Sequence, residues 1–111
     1  MSTTKLERSR WPQYFDAVSK RVPTMRVAVS IMGVGIGVQQ EAEGAALVGI
    51  SYDHNDEALT IDMANASHRI VQPSEISVRE EAGMLSSIEV VSSDGTKQLV
   101  ELTRLPSLPG S

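Results

Sequence analysis

Trp11, Phe15, Val18 and Val22 recur at steps of four, three and four residues, and from Met25 onward the apolar period drops to two. The first spacing marks one face of a helix, the second one face of a strand. The chain must therefore place one amphipathic helix ahead of a run of strands. Ser9 stands where a helix cap would, Pro12 fits a first turn, and Pro23 ends the segment. Arg10, Gln13, Asp16, Lys20 and Arg21 fall largely off the stripe, and Tyr14 lies beside it. The chain has only four aromatic residues: Trp11, Tyr14 and Phe15 in this segment, and Tyr52. Rings so scarce are expected in the core, where fully burying one is worth about 1.5–3 kcal/mol.

The strands follow from the alternation. Met25, Val27, Val29 and Ile31 share one face; after Gly33 the parity flips, and Val34, Ile36 and Val38 alternate with Gly35 and Gly37. Within one strand over 25–38 that flip predicts a bulge or sharp bend. Gln39 to Gly44 is polar and reads as a loop. Leu47 to Asp53 and Ala58 to Met63 form a hairpin around His54-Asn55-Asp56-Glu57. His68 to Gln72 is a short strand stopped by Pro73, and Glu75 to Glu80 follows it. Ser87 to Val91 and Thr96 to Thr103 flank Ser93-Asp94-Gly95, a tight-turn signal. The fold class is α+β: one N-terminal amphipathic helix packed on a strongly bent antiparallel sheet, or a small partly open β-barrel, of six or seven strands. Residues 1–8 read as a flexible arm, 9–105 as a single domain and 106–111 as a frayed tail.

Charge is unevenly spread. Residues 1–26 carry six basic residues against two acidic ones, and residues 27–111 carry four against twelve. An overall pI near 5.1 disfavours a dedicated nucleic-acid binder. The absence of cysteine excludes disulfides, thiolate metal sites and a cysteine nucleophile. No apolar stretch approaches the roughly 20 residues of a membrane span. A cytoplasmic protein without membrane contact is the expectation.

The candidate sites are sparse. Gly33-Val-Gly35-Ile-Gly37 lacks the third glycine and the following helix of a dinucleotide loop, and it has no Gly-Lys-Ser/Thr. Asp53, Asn55 and Glu57 imitate the start of a calcium loop, but Ala58 and Ala64 stand where glycine and glutamate are needed. No cofactor or metal is therefore expected. Ser51, His54 and Asp56 are too close along one hairpin to make a catalytic triad. The nearest to catalytic candidates are His68, Asp53 and Tyr52, around a pocket under the helix. Arg8, Arg10, Lys20, Arg21 and Arg26, interleaved with aromatics, are the candidates for gripping an anionic partner. That grip requires Trp11 and Tyr14 to be exposed, which the stripe argues against. Residues 27–40 hold no charge, so their strand should be central or paired across an interface.

Leu6-Glu7-Arg8 leading to Trp11-x-x-Tyr-Phe-Asp, and Gly49-Ile-Ser-Tyr-Asp before the first hairpin, recur in order with further segments. These are His68-Arg-Ile-x-x-Pro73-x-x-Ile76 and Leu85-Ser-Ser-Ile-Glu-Val-Val into Ser93-Asp-Gly. With them the chain, from about residue 5 to 103, resembles a family of small stand-alone bacterial proteins known only as a domain of unknown function. The resemblance implies a bacterial, cytosolic, single-domain protein and carries no reaction, cofactor or active-site residue. The first expectation is a non-enzymatic protein-interaction or binding module whose partner is another protein or itself, with a homodimer through the uncharged strand 27–38 as one form. The alternative is a small-molecule-binding protein or enzyme with its pocket under the helix, and the third is nucleic-acid binding through the basic N-terminal segment.

Overall fold

The computed structural model describes residues 2–21, 25–33, 37–64, 66–81 and 84–104. Strand β1 (Ser2–Lys5) leads through a 3-10 turn at Arg8–Arg10 into helix α1 (Trp11–Arg21). There follow β2 (Met25–Gly33), β3 (Gly37–Asp53), β4 (Ala58–Met63), β5 (Ala66–Val71), β6 (Pro73–Glu81), β7 (Met84–Ser92) and β8 (Lys97–Arg104). All neighbours pair antiparallel in the order β1-β6-β7-β8-β2-β3-β4-β5. The fold class is as expected, one helix on a bent sheet, but the sheet has eight strands and is open.

The bend comes from β3. Its first half pairs with β2 as far as Arg26↔Ala46, and its second half pairs with β4 from Leu47↔Met63 onward. One long strand thus belongs to both parts of the sheet. The register shifts at Val27, at Val29 and between Leu47 and Gly49 supply local twist. Val27, Val29, Ile88, Val90 and Val100 of one part, and Ile50, Leu59, Ile61 and Ile70 of the other, belong to a single buried cluster. Trp11 and Phe15 of α1 are fully buried with them, and Val18 packs against its edge. The helical stripe therefore faces inward as its spacing requires; Val22 and Pro23 lie outside the described residues.

Helix α1 also covers an exposed strand edge. From Leu47 on, β2 no longer accompanies β3, which leaves that side of the strand without a ladder partner. The Ser19 hydroxyl fills the gap, donating to the Ile50 carbonyl at 2.6 Å and accepting from the Ile50 N–H at 2.9 Å. A hydroxyl can do both at once, being donor and acceptor. At its other end the helix reaches β6, where the Tyr14 hydroxyl donates to Glu80 at 2.8 Å.

Three readings need correction. The parity flip after Gly33 is not a bulge within one strand. Gly33 pairs with Gly37 across a hairpin, so two strands meet there and each sets its own faces; residues 34–36 lie outside the described set. Gln39 to Gly44 is not a loop but part of β3, with Ser30↔Gln40 and Val29↔Ala42 as ladder pairs. Ladder bonds from β2 outweigh the low strand propensity of polar residues there. Ser2–Lys5 of the supposed arm forms β1, paired with β6 from Ser2↔Glu80 to Lys5↔Ser77. Lys5 meets Glu75 at 3.0 Å, and the Leu6 N–H bonds to the Ile76 carbonyl at 2.8 Å. The uncharged strand is central, flanked by β8 and β3. Residues 105–111, with the supposed tail, lie outside the described set.

The Ser93-Asp94-Gly95 turn joins β7 and β8 as its residues predict, with Gly95 at φ 91. The Asp94 carboxylate accepts the Thr96 N–H at 2.9 Å. Backbone and side-chain hydrogen bonds from Thr96 hold its carboxyl below the usual carboxylate range. A lowered folded pKa means a contribution that is present above the unfolded value of about 3.9 and lost as pH falls through the folded one. Below about pH 4, the protection of the Gly95 and Thr96 amides, measured by NMR relative to their intrinsic exchange rates, should therefore fall. In Asp94→Asn the turn should show no such dependence. Equal acid response in both proteins would remove Asp94 as the cause.

Candidate functional site

Where the 3-10 turn enters α1, the chain faces the turn between β3 and β4 across a cavity of about 400 Å³. Arg8, Ser9 and Pro12 line one side, and Tyr52, His54 and Glu57 line the other. Its size falls at the low end of the roughly 300–1,000 Å³ typical of small-molecule pockets. A shallower hollow of about 260 Å³ adjoins it, sharing Arg8 and Glu57 and adding Gln72, Pro73, Ser74 and Ser93.

Arg8 is the best-held charge in the site. Its guanidinium lies 4.7 Å over the Trp11 ring, Nη2 donates to the Pro73 carbonyl at 3.1 Å, and Nη1 stands 3.8 Å from Glu57. Stacking and the carbonyl fix the plane of the fork, leaving other N–H donors in a set orientation. The Glu57 contact is long and more than half exposed on both sides, so it contributes little.

Tyr52 is the unusual member. Only 8% exposed, it is held against the Trp11 ring at 5.1 Å and 84°. Its hydroxyl makes no hydrogen bond to any described residue. Yet no side-chain oxygen or nitrogen is both fully buried and unpaired among the described residues. The hydroxyl is therefore not sealed off from solvent, and Tyr52 is one of the residues lining the cavity.

The backbone beneath the site is unusual as well. Glu57 and Gln72 both sit at φ 49, the left-handed region that non-glycine residues enter at a cost. The Gln72 N–H bonds to the Glu57 carbonyl at 2.7 Å, and the Ser93 N–H bonds to the Gln72 carbonyl at 3.0 Å. These bonds pin the β3–β4 turn against the corner between β5 and β6.

The candidates read from the sequence scatter. Of the three in the supposed pocket, Tyr52 lines the cavity beside the helix. Asp53 is exposed and caps its own turn, accepting the Asn55 N–H at 2.8 Å. His68 is half-buried, with Nε2 2.6 Å from Oε1 of the buried Gln98 on β8, a satisfied core pair. Asp56 pairs with Arg69 at 3.5 Å, so the Ser51, His54 and Asp56 trio is not assembled. Of the basic candidates, Arg8 enters the site, Lys20 pairs with Asp16 at 3.2 Å on the same helix, and Arg10 and Arg26 are exposed. The Arg21 side chain lies outside the described residues. Trp11, which a stacking grip would need at the surface, is 1% exposed.

Ser9, Pro12 and Glu57 are site residues that the sequence did not mark as such. Ser9 read as a helix cap, but α1 starts two residues later and Ser9 lines the cavity instead. Among the described residues, no three of His, Asp and Glu stand where they could share a metal ion. No helix there is long and apolar enough to cross a membrane.

A family model described as a family of unknown function (DUF5335) matches residues 2–111. An uncharacterized protein of Aquifex aeolicus (strain VF5) is 36% identical over 110 residues, covering 98% of this chain and 97% of that one.

Proposed function

The chain belongs to the DUF5335 family, and from that premise we propose that it is a non-catalytic cytoplasmic binding domain whose ligand is a small molecule seated at the start of α1. The Tyr52 hydroxyl carries this reading. It is a polar group on a nine-tenths buried side chain that lines a cavity of suitable size, and it makes no hydrogen bond to any described residue. A hydroxyl satisfied by water adds little to folding and is available to a ligand. Ser9 and His54 line the same cavity, but no hydrogen bond joins them among the described residues, so binding rather than catalysis is proposed. A protein-docking role has less support. Among the described residues the exposed large apolar ones, Val48 and Val71, lie on different strands, and single exposed residues of that kind are ordinary.

Tyr52→Phe tests the proposal, since it removes the oxygen and keeps the ring against Trp11. We expect its unfolding free energy, from denaturant titration, to stay within about 1 kcal/mol of the parent. A screen of small-metabolite mixtures by two-dimensional NMR should find compounds that shift the Ser9, His54 and Glu57 amides in the parent. Those shifts should weaken in Tyr52→Phe. If no mixture moves those amides, or if the variant loses several kcal/mol, the hydroxyl is structural and the proposal fails.

A further inference from the structure

We infer that the ligand of this cavity carries a carboxylate on an apolar body, an inference that rests on the binding reading above. Every polar residue lining the cavity except Glu57 can donate a hydrogen bond: Arg8, Ser9, Tyr52 and His54, with Glu57 the single carboxylate. Arg8 is held in place by Trp11 and the Pro73 carbonyl. A planar fork fixed in this way matches the two oxygens of a carboxylate. Its existing partner is weak, because Glu57 stands 3.8 Å away with both side chains more than half exposed. An incoming carboxylate can take the N–H donors that Glu57 does not engage.

Glu57 also decides which anion fits. It leaves the site with one fixed positive and one fixed negative charge. A second negative charge raises the attraction to Arg8 and the repulsion from Glu57 together, so a phosphate dianion gains little from it and has no hydrocarbon body to set against the apolar lining. The Tyr52 hydroxyl then donates to the second carboxylate oxygen or to a polar atom behind it. Pro12 and Tyr52 are the lining residues with apolar rings, and they favour a hydrocarbon body.

Trp11 is the sole tryptophan and touches both Arg8 and Tyr52, so its emission reports directly on the cavity. The test titrates the full chain with acetate and acetamide, benzoate and benzamide, 3-phenylpropanoate and its amide, and inorganic phosphate. NMR shifts at Ser9, His54 and Glu57 locate the site. We expect at least one acid to bind saturably and about tenfold or more tighter than its amide, with phosphate weaker than that acid. In Arg8→Gln, acid and amide should become equal. The acid–amide comparison in the parent stands without the variant, should Arg8→Gln fold poorly. Amides binding as well as their acids, or phosphate binding best, would overturn the carboxylate and leave the binding site standing. No saturable response to any of these probes would overturn both.

Discussion

Trp11→Ala is expected to lower the unfolding free energy by about 3–5 kcal/mol, measured by urea denaturation with the m-value unchanged. Several contacts fail together. The indole is 1% exposed, so its removal leaves a cavity that neighbours fixed in two parts of the sheet cannot fill. Tyr52 loses the ring its edge rests against, Arg8 loses the surface beneath its guanidinium, and the Leu6 carbonyl loses the Nε1–H donor 3.2 Å away. The last loss matters because Leu6 connects β1 to the helix. Domains of this size are stable by roughly 5–15 kcal/mol, so the variant should be marginal at 37 °C. A loss below about 1 kcal/mol would show that α1 does not pack as described.

Ser19→Ala should cost about 1–3 kcal/mol, a large effect for one oxygen on a half-buried side chain. That oxygen serves two backbone groups, the N–H and the carbonyl of Ile50, at the point where β3 has lost β2 and has β4 on one side only. Removing it leaves both with no protein partner. The Ile50 amide should lose exchange protection by a larger factor than amides in the β7–β8 hairpin. Unchanged protection at Ile50 would show that the helix does not seal that edge. Ser19→Thr, which keeps the hydroxyl, should restore most of the loss.

Local signals in the sequence located the elements whose causes are local. The ring spacing from Trp11 to Val18 gave the helix and its buried face, because helical period and burial are the same fact seen twice. Asp94-Gly95 gave a hairpin because the φ of 91 at Gly95 is one that glycine adopts at no cost. His54 to Glu57 gave another because Asp53 and Asn55 bond within their own turn. What stayed hidden depends on distant partners. Ser2–Lys5 has no apolar alternation and becomes a strand only because β6 has an open edge. Gln39 to Gly44 looks like a loop until β2 is laid beside it. The cavity joins residues 8–12 to residues 52–57, and neither segment shows in its own sequence that Tyr52 ends without a partner. Ser19 carried no signal, because a serine on the side of a helix is common and its importance lies in the strand it meets.

The placement of β8 has a consequence for synthesis on the ribosome. β2 finds its first neighbour at once, since β3 follows directly, but its second neighbour is the last strand to emerge. While β3 through β7 are being made, the charge-free residues 27–33 present unsatisfied amides and carbonyls along one whole side of the nascent chain. Chains grow from the N-terminus, and such a row recruits any other strand nearby, including its own counterpart on a neighbouring ribosome. The vulnerable interval thus closes only when Lys97–Arg104 arrives. Crowded or slowed translation, more than heat applied to the finished molecule, is where this topology is most exposed to misassembly.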